Sequence, residues 1–325
     1  MPAKLDSRET HVRLPCPNGG PDLFLRHLGP GAGTDGPVVL YVHGATFSSA
    51  LSVAHRFGGN AWRDDLNRAG FHVWALDFPG FGESDSYPEM EQPANHDPPL
   101  GRATDVCPRL EQAVRFICDR HGLDRISIVA HSWGTIATGL FAERHSDLID
   151  RLVFFGPIAR RPNTGQAAAL PAWRTITLQH QWDRFVKDVP SNQPPVLSAR
   201  HFDGWGSRYL DTDPLSRRRD PFAVAVPSGP AQDIADAWHG DLAYDPAAIR
   251  TPLAILRGEW DSLCTDDDAR WLFDALSASP LKRDVKLGHG THVMHLEAGR
   301  YALYRETEAF LKAGDEPPAP SDPGS

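Results

Sequence analysis

A serine, a group of carboxylates and three closely spaced histidines are the side chains of this sequence best suited to chemistry. Ser132 lies in "ISIVAHSWGTIATGLFAERH", where an apolar run of strand type passes straight into a helical pattern. Glu259, Asp261 and Asp266 to Asp268 crowd "RGEWDSLCTDDD", and His289, His292 and His295 follow in "LGHGTHVMHLE". A serine hydroxyl is a weak nucleophile until a base takes its proton, and the base needs a third group to orient it. These residue types therefore allow acyl transfer through a serine. The blander reading of Ser132 is a helix cap. The histidine spacing of three and three also allows a metal cage, because on a helix the rings would share one face. Two glycines flank His289, which opposes a regular helix there, and the H-E-x-x-H arrangement of zinc hydrolases is absent. No metal is expected.

These groups need a scaffold. Segments 37–44, 71–78, 126–132, 151–157, 252–258 and 283–290 read as strands, several of them near-continuous apolar runs of the kind covered on both faces. Helical patterns lie between them: Cys107, Leu110, Val114 and Ile117 recur at helical spacing, and 299–313 stops at Gly314. Repeated strand–helix units predict a mostly parallel sheet with helices on both faces. From 157 to 250 the rhythm breaks. That stretch has no clean strand, carries Trp173, Trp182, Trp205 and Trp238, and is too long for a loop. It is expected to be a helical insertion between core segments 1–156 and 251–313. The Pro- and Gly-rich end, 314–325, is expected to be disordered.

Ala130-His131-Ser132-Trp133-Gly134 resembles the nucleophile elbow G-x-S-x-G, with alanine at the first glycine. Upstream, His43-Gly44-Ala45 resembles the His-Gly turn that supplies an oxyanion donor, and "LDFPGFGESD" resembles a D-x-P-G-x-G-x-S turn. In this order the motifs resemble the serine-dependent α/β-hydrolase superfamily, in its cap-bearing, esterase- or lactonase-like branch. The resemblance implies an α/β-hydrolase fold in which 157–250 is a helical cap. It implies a Ser132–Asp261–His292 triad, since Asp261 lies three residues beyond Gly258 and His292 five before Glu297. His289 would shift that register by three; with His295 it is left as a bystander. The oxyanion donors implied are the Ala45 and Trp133 backbone N–H groups. A serine nucleophile separates the chain from the haloalkane dehalogenases and epoxide hydrolases, which use aspartate. No cofactor is implied.

Phe47, Leu51 and Phe57 follow the Ala45 turn, and with Trp133 they are the expected substrate-binding residues. Such a lining suits a small, largely apolar ester or lactone. A proline-iminopeptidase-like exopeptidase is the alternative. Trp133 after the serine and "GEWDSLC" resemble that branch, and Asp233 or Asp236 could read a free ammonium, but its H-G-G-P-G run is absent. A non-catalytic ligand-binding member of the fold is the reading from another class.

The 325 residues are 41% hydrophobic and 23% charged, as in globular proteins, and a net charge of -9 opposes a nucleic-acid or anionic-membrane surface. No run of eighteen apolar residues and no apolar leader occur. Four cysteines without metal-like spacing fit free thiols in a reducing cytoplasm. The expected partner is a small-molecule substrate; the sequence leaves the oligomeric state open.

Overall fold

The six expected strand segments all form, and they join two that the sequence reading did not assign. The computed structural model describes residues 4–31, 35–162 and 165–313; the tail expected to be disordered, 314–325, lies outside them. In chain order the first half runs β1 (Thr10–Leu14), β2 (Leu23–Leu28), β3 (Val38–Val42), α1 (Trp62–Arg68), β4 (His72–Asp77), α2 (Ala103–His121), β5 (Ile126–His131), α3 (Gly134–His145) and β6 (Ile149–Phe155). Then come β7 (Trp173–Thr177), α4 (Leu178–Val186), α5 (Ala199–Leu210), β8 (Ala223–Pro227), α6 (Gly229–Trp238), β9 (Leu253–Gly258), α7 (Asp266–Ala275), β10 (Lys282–Leu287) and α8 (Arg300–Lys312).

Eight strands form one sheet in the order β1-β2-β4-β3-β5-β6-β9-β10. Only β2 runs antiparallel to its neighbours; β4, β3, β5, β6, β9 and β10 are parallel. Alternation along each strand feeds two cores. Leu40 and Val42 pack with α2 and α3, through residues such as Leu110, Val114 and Ile136. Val39 and Tyr41 face the other way, toward Trp62 and Leu66 of α1 and Leu303 and Phe310 of α8. Burial on both faces is why the strands read as unbroken apolar runs. Gly122, at φ 65°, ends α2 in the left-handed conformation that glycine adopts without penalty.

After β3 the chain steps to β4 on one side, and with β5 it returns to the other. That reversal is a topological switch point at the C-terminal ends of β3 and β5, the place where sheets of this kind bind ligands.

Residues 157–250 depart from the expectation of no strand. Besides α4, α5 and α6 they contain an antiparallel pair, with Trp173 opposite Pro227 and Thr177 opposite Ala223. β7 is short and half-exposed and carries Arg174, Thr175 and Thr177, so it has no apolar run; β8, Ala223–Pro227, is a five-residue apolar run that the sequence reading passed over. The segment packs back on the sheet domain: Trp205 Nε1 donates to the Leu51 carbonyl at 2.9 Å, and the Trp205 ring meets Phe47 at 5.3 Å between centroids.

Candidate active site

Ser132 occupies the corner between β5 and α3 with φ 56°, left-handed backbone that a non-glycine residue adopts at a cost of about 1–3 kcal/mol. The surroundings enforce it. Ser132 N–H donates to the Phe155 carbonyl at 3.0 Å, and the Ser132 carbonyl accepts from Thr135 Oγ1 at 2.6 Å. Close packing explains the small residues around the serine. A Cβ on Gly134 would lie 2.5 Å from the His43 carbonyl oxygen, so no side chain fits there. Ala130 sits earlier, as an ordinary strand residue paired with Val42 and Phe154, where a methyl group is accommodated.

The loop after β10 brings His292 to the serine. His292 Nε2 is 2.8 Å from Ser132 Oγ, and His292 Nδ1 is 2.9 and 3.0 Å from the Asp261 carboxylate oxygens. A carboxylate can only accept, so Nδ1 carries the proton and the Nε2 lone pair faces the hydroxyl. Burial pushes the Asp261 carboxyl up. His292 and the N–H groups of Leu263 and Cys264, at 2.8 and 3.1 Å, outweigh that and hold it below its ordinary value. Asp261 therefore stays ionised. Gly156, at φ 54°, lies against this pair: a Cβ there would come 2.9 Å from His292 Nδ1 and 3.0 Å from Asp261 Oδ2. The sequence reading missed Gly156, although a glycine ending a buried strand beside the site is a signal.

The three histidines of the loop separate. His289 is exposed, stacked on Trp260 at 5.3 Å, with its N–H donating to Glu259. His295 is buried beside His131, Phe155 and Phe47. Only His292 meets the serine. The loop is tied by Glu297, which accepts from Thr291 N–H at 3.2 Å and from Thr291 Oγ1.

The first oxyanion candidate is set by a histidine whose side chain the sequence reading gave no task. A Cβ on Gly44 would lie 3.1 Å from Ser132 Cβ, so the His43–Ala45 turn passes beside Ser132. His43 is buried, which lowers its pKa and keeps it neutral. Its Nδ1–H donates to the Gly44 carbonyl at 2.7 Å, while its Nε2 accepts from Phe78 N–H at 3.0 Å. Across a trans peptide the C=O and N–H point in opposite directions. Pinning the Gly44 oxygen therefore fixes the Ala45 N–H. Neither the Ala45 nor the Trp133 backbone N–H has an acceptor among the described residues.

The Trp133 side chain is fully buried, edge-on to Phe78, and donates to Asp233 at 2.9 Å. Asp233 also accepts from Ala103 N–H and Arg102 Nε, each at 2.7 Å, and Arg102 Nη2 reaches Asp236 at 2.5 Å. Both carboxylates suggested as ammonium readers are thus occupied by Arg102. Phe47, Leu51 and Phe57 are buried where the sheet domain meets residues 157–250; Phe47 packs on Phe185 and Trp205, and Phe57 lies 5.3 Å from His201.

The comparisons agree with this geometry at the level of fold. The structure superposes on 2-hydroxy-6-oxo-6-phenylhexa-2,4-dienoate hydrolase from Rhodococcus sp. strain RHA1 with a TM-score of 0.62 at 18% identity, covering 94% of this chain and 99% of that one. The thioesterase domain from the curacin biosynthetic pathway gives 0.60 at 14% identity, covering 92% and 98%. The enol-lactonase from Burkholderia xenovorans LB400 gives 0.56 at 17%, covering 90% and 97%. No curated protein matches the chain in sequence. The family model of the alpha/beta hydrolase fold matches residues 37–299, which span the serine corner, the acid turn and the histidine loop, and the chain belongs to that family of hydrolases.

Proposed function

We propose that the protein is a serine hydrolase that cleaves a carboxylic ester or lactone of a small, largely apolar substrate through an acyl-enzyme. The observation that carries this reading is the unbroken hydrogen-bond chain Ser132–His292–Asp261 at the switch point of the sheet. Ser132 Oγ attacks the carbonyl carbon as His292 Nε2 takes its proton. Asp261 holds the imidazole in the right tautomer and stabilises the imidazolium. The oxyanion accepts from the Ala45 and Trp133 N–H groups, each worth about 3 kcal/mol in the transition state. Collapse expels the alcohol with the proton from His292, and water, activated by the same base, releases the acid.

Residues 157–250 act as the cap over core segments 1–156 and 251–313. Phe47, Leu51 and Phe57, with Trp133, supply the apolar wall. Ester cleavage is favoured over aminopeptidase action because the oxygens of Asp233 and Asp236 are taken up by Arg102, Ala103 N–H, Trp133 Nε1 and Gln232 rather than presented to a substrate ammonium. The substrate is a small molecule, no cofactor takes part, and the four free thiols suit a reducing, cytoplasmic setting. No helix among the described residues is long and apolar enough to cross a membrane.

The test compares wild type with Ser132→Ala on p-nitrophenyl acetate, butyrate and octanoate and on proline p-nitroanilide, with and without a chelator. Ester turnover that survives the chelator and falls by several orders of magnitude in the variant is expected. Turnover of the anilide alone would replace this reading with the exopeptidase. Inert substrates throughout would favour a ligand-binding role.

A further inference from the structure

Three other histidines converge at the end of the sheet opposite Ser132. His27 lies in β2 across from Trp74 of β4, His72 opens β4, and His121 closes α2. Because β3, β4 and β5 are parallel and Ser132 follows the C-terminal end of β5, the start of β4 is remote from the chemistry. We propose that His27, His72 and His121 bind a divalent transition-metal ion of the zinc type.

One nitrogen from each ring lies within 4.8 Å of the others. His27 Nε2 and His72 Nδ1 are 3.2 Å apart. Two imidazoles on a tetrahedral ion, with metal–nitrogen bonds of 2.0–2.1 Å, hold their nitrogens about 3.3 Å apart. The first pair therefore already has ligand spacing. His121 needs a shift of roughly 1.5 Å to complete a set of that geometry, and it is a half-buried side chain in the last residue of a helix.

Neighbouring groups leave an inward lone pair on two of the three rings, His27 and His121; without an ion, His72 Nδ1 carries the proton of the 3.2 Å contact and must release it to ligate. Thr10 Oγ1 lies 3.3 Å from His27 Nδ1. A proton on that nitrogen, donated to the threonine, leaves Nε2 free to face His72; ligating histidines commonly use their second nitrogen in this way. Trp74 Nε1–H can only donate, and it donates to His121 Nε2 at 3.0 Å, so that nitrogen carries a lone pair. The indole holds the ring until an ion replaces it as the partner.

Three imidazoles without thiolate or carboxylate suit zinc, nickel or copper, and half-exposure of all three rings admits water as a fourth ligand. The Arg120 guanidinium, 5.9 Å over the Trp74 ring, is a nearby positive charge that opposes an added dication. Such an ion would clasp β2, β4 and the end of α2, a structural role separate from the serine chemistry.

The test uses untagged full-length protein, stripped with a chelator and dialysed. Zn2+ is titrated by calorimetry and Co2+ by visible absorption. Saturable binding of one equivalent, a tetrahedral Co2+ spectrum and a raised Tm are expected, all retained in Ser132→Ala. His121→Gln should weaken binding at least tenfold, and His27→Gln with His72→Gln should abolish it. If that double variant does not fold, the single substitution at the helix end decides. Absence of saturable Zn2+ binding, or wild-type affinity in His121→Gln, overturns the proposal. Ester turnover is read separately, because its survival or loss under the chelator bears on the serine mechanism alone.

Discussion

His131 Nε2–H donates to the backbone carbonyl of His292 at 2.9 Å, so the residue just before Ser132 anchors the loop that carries His292. The His131 ring stacks on Phe155 at 4.7 Å and is fully buried; that burial, opposed only in part by Asp261 and the bond to the carbonyl, holds its pKa at about 3. It is neutral throughout the working range and acts by position. His131→Ala should lower kcat about 10- to 100-fold through misplacement of His292, with KM and the shape of the pH–rate profile little changed. A changed profile would instead make His131 a titrating participant.

Asp261→Asn keeps the size of the side chain but offers an N–H where the carboxylate accepted from His292 Nδ1. The imidazole then favours the tautomer with its proton on Nε2, facing Ser132. A drop of about 10⁴ in kcat with unchanged Tm is expected. Steady-state kinetics on p-nitrophenyl butyrate beside a thermal melt measure both.

Gly156→Ala introduces a methyl group about where His292 Nδ1 and Asp261 Oδ2 pack, at a left-handed φ that alanine resists. A stability loss of about 1–3 kcal/mol, from the backbone alone, is expected in denaturant melts. Activity should fall by at least tenfold in the fraction that remains folded, because the methyl group displaces the acid or the base.

Glu297 gives the pH prediction. Burial, with smaller repulsion from Asp261 and Asp188, outweighs its Thr291 hydrogen bonds and raises the carboxyl from 4.5 to about 7. The folded state thus holds this proton more tightly than the unfolded chain. The resulting stability is full below about pH 4.5 and is lost as pH rises through about 7. Glu297→Gln should remove that slope. Its Tm should exceed that of wild type by about 2–4 °C at pH 8 and match it at pH 5. Equal Tm values at both pH values would show that the carboxyl ionises normally.

Much of the core was legible because its central strands are buried on both faces and read as apolar runs, and because Ser132 and Asp261 lie on turns that follow such runs; His292 follows β10, a charged edge strand. Of the missing strands, β8 is a short apolar run that went unassigned, and the others had no such pattern. β1 is a half-exposed edge, and β2 carries Arg26 and His27, with the buried Arg26 paired to Glu9 at 2.7 Å and bonded to Ser49 at 2.9 Å. β7 and β8 pair only with each other. Gly156 and the ring of His131 act through contacts with residues far along the chain, which no local spacing encodes. The Arg102 pairing of Asp233 and Asp236 spans more than 130 positions, so the sequence showed two spare carboxylates where the fold leaves none.

The Trp133 indole has a last implication. Its bond to Asp233 joins the peptide after the nucleophile to α6, and Arg102 locks that joint to the start of α2. Any rocking of α6 against the sheet pulls on the same residue whose N–H faces the reacting carbonyl in the proposed mechanism. In that mechanism the joint makes α6 and the serine corner one mechanical unit, so a displacement of α6 would move the peptide that carries the oxyanion donor.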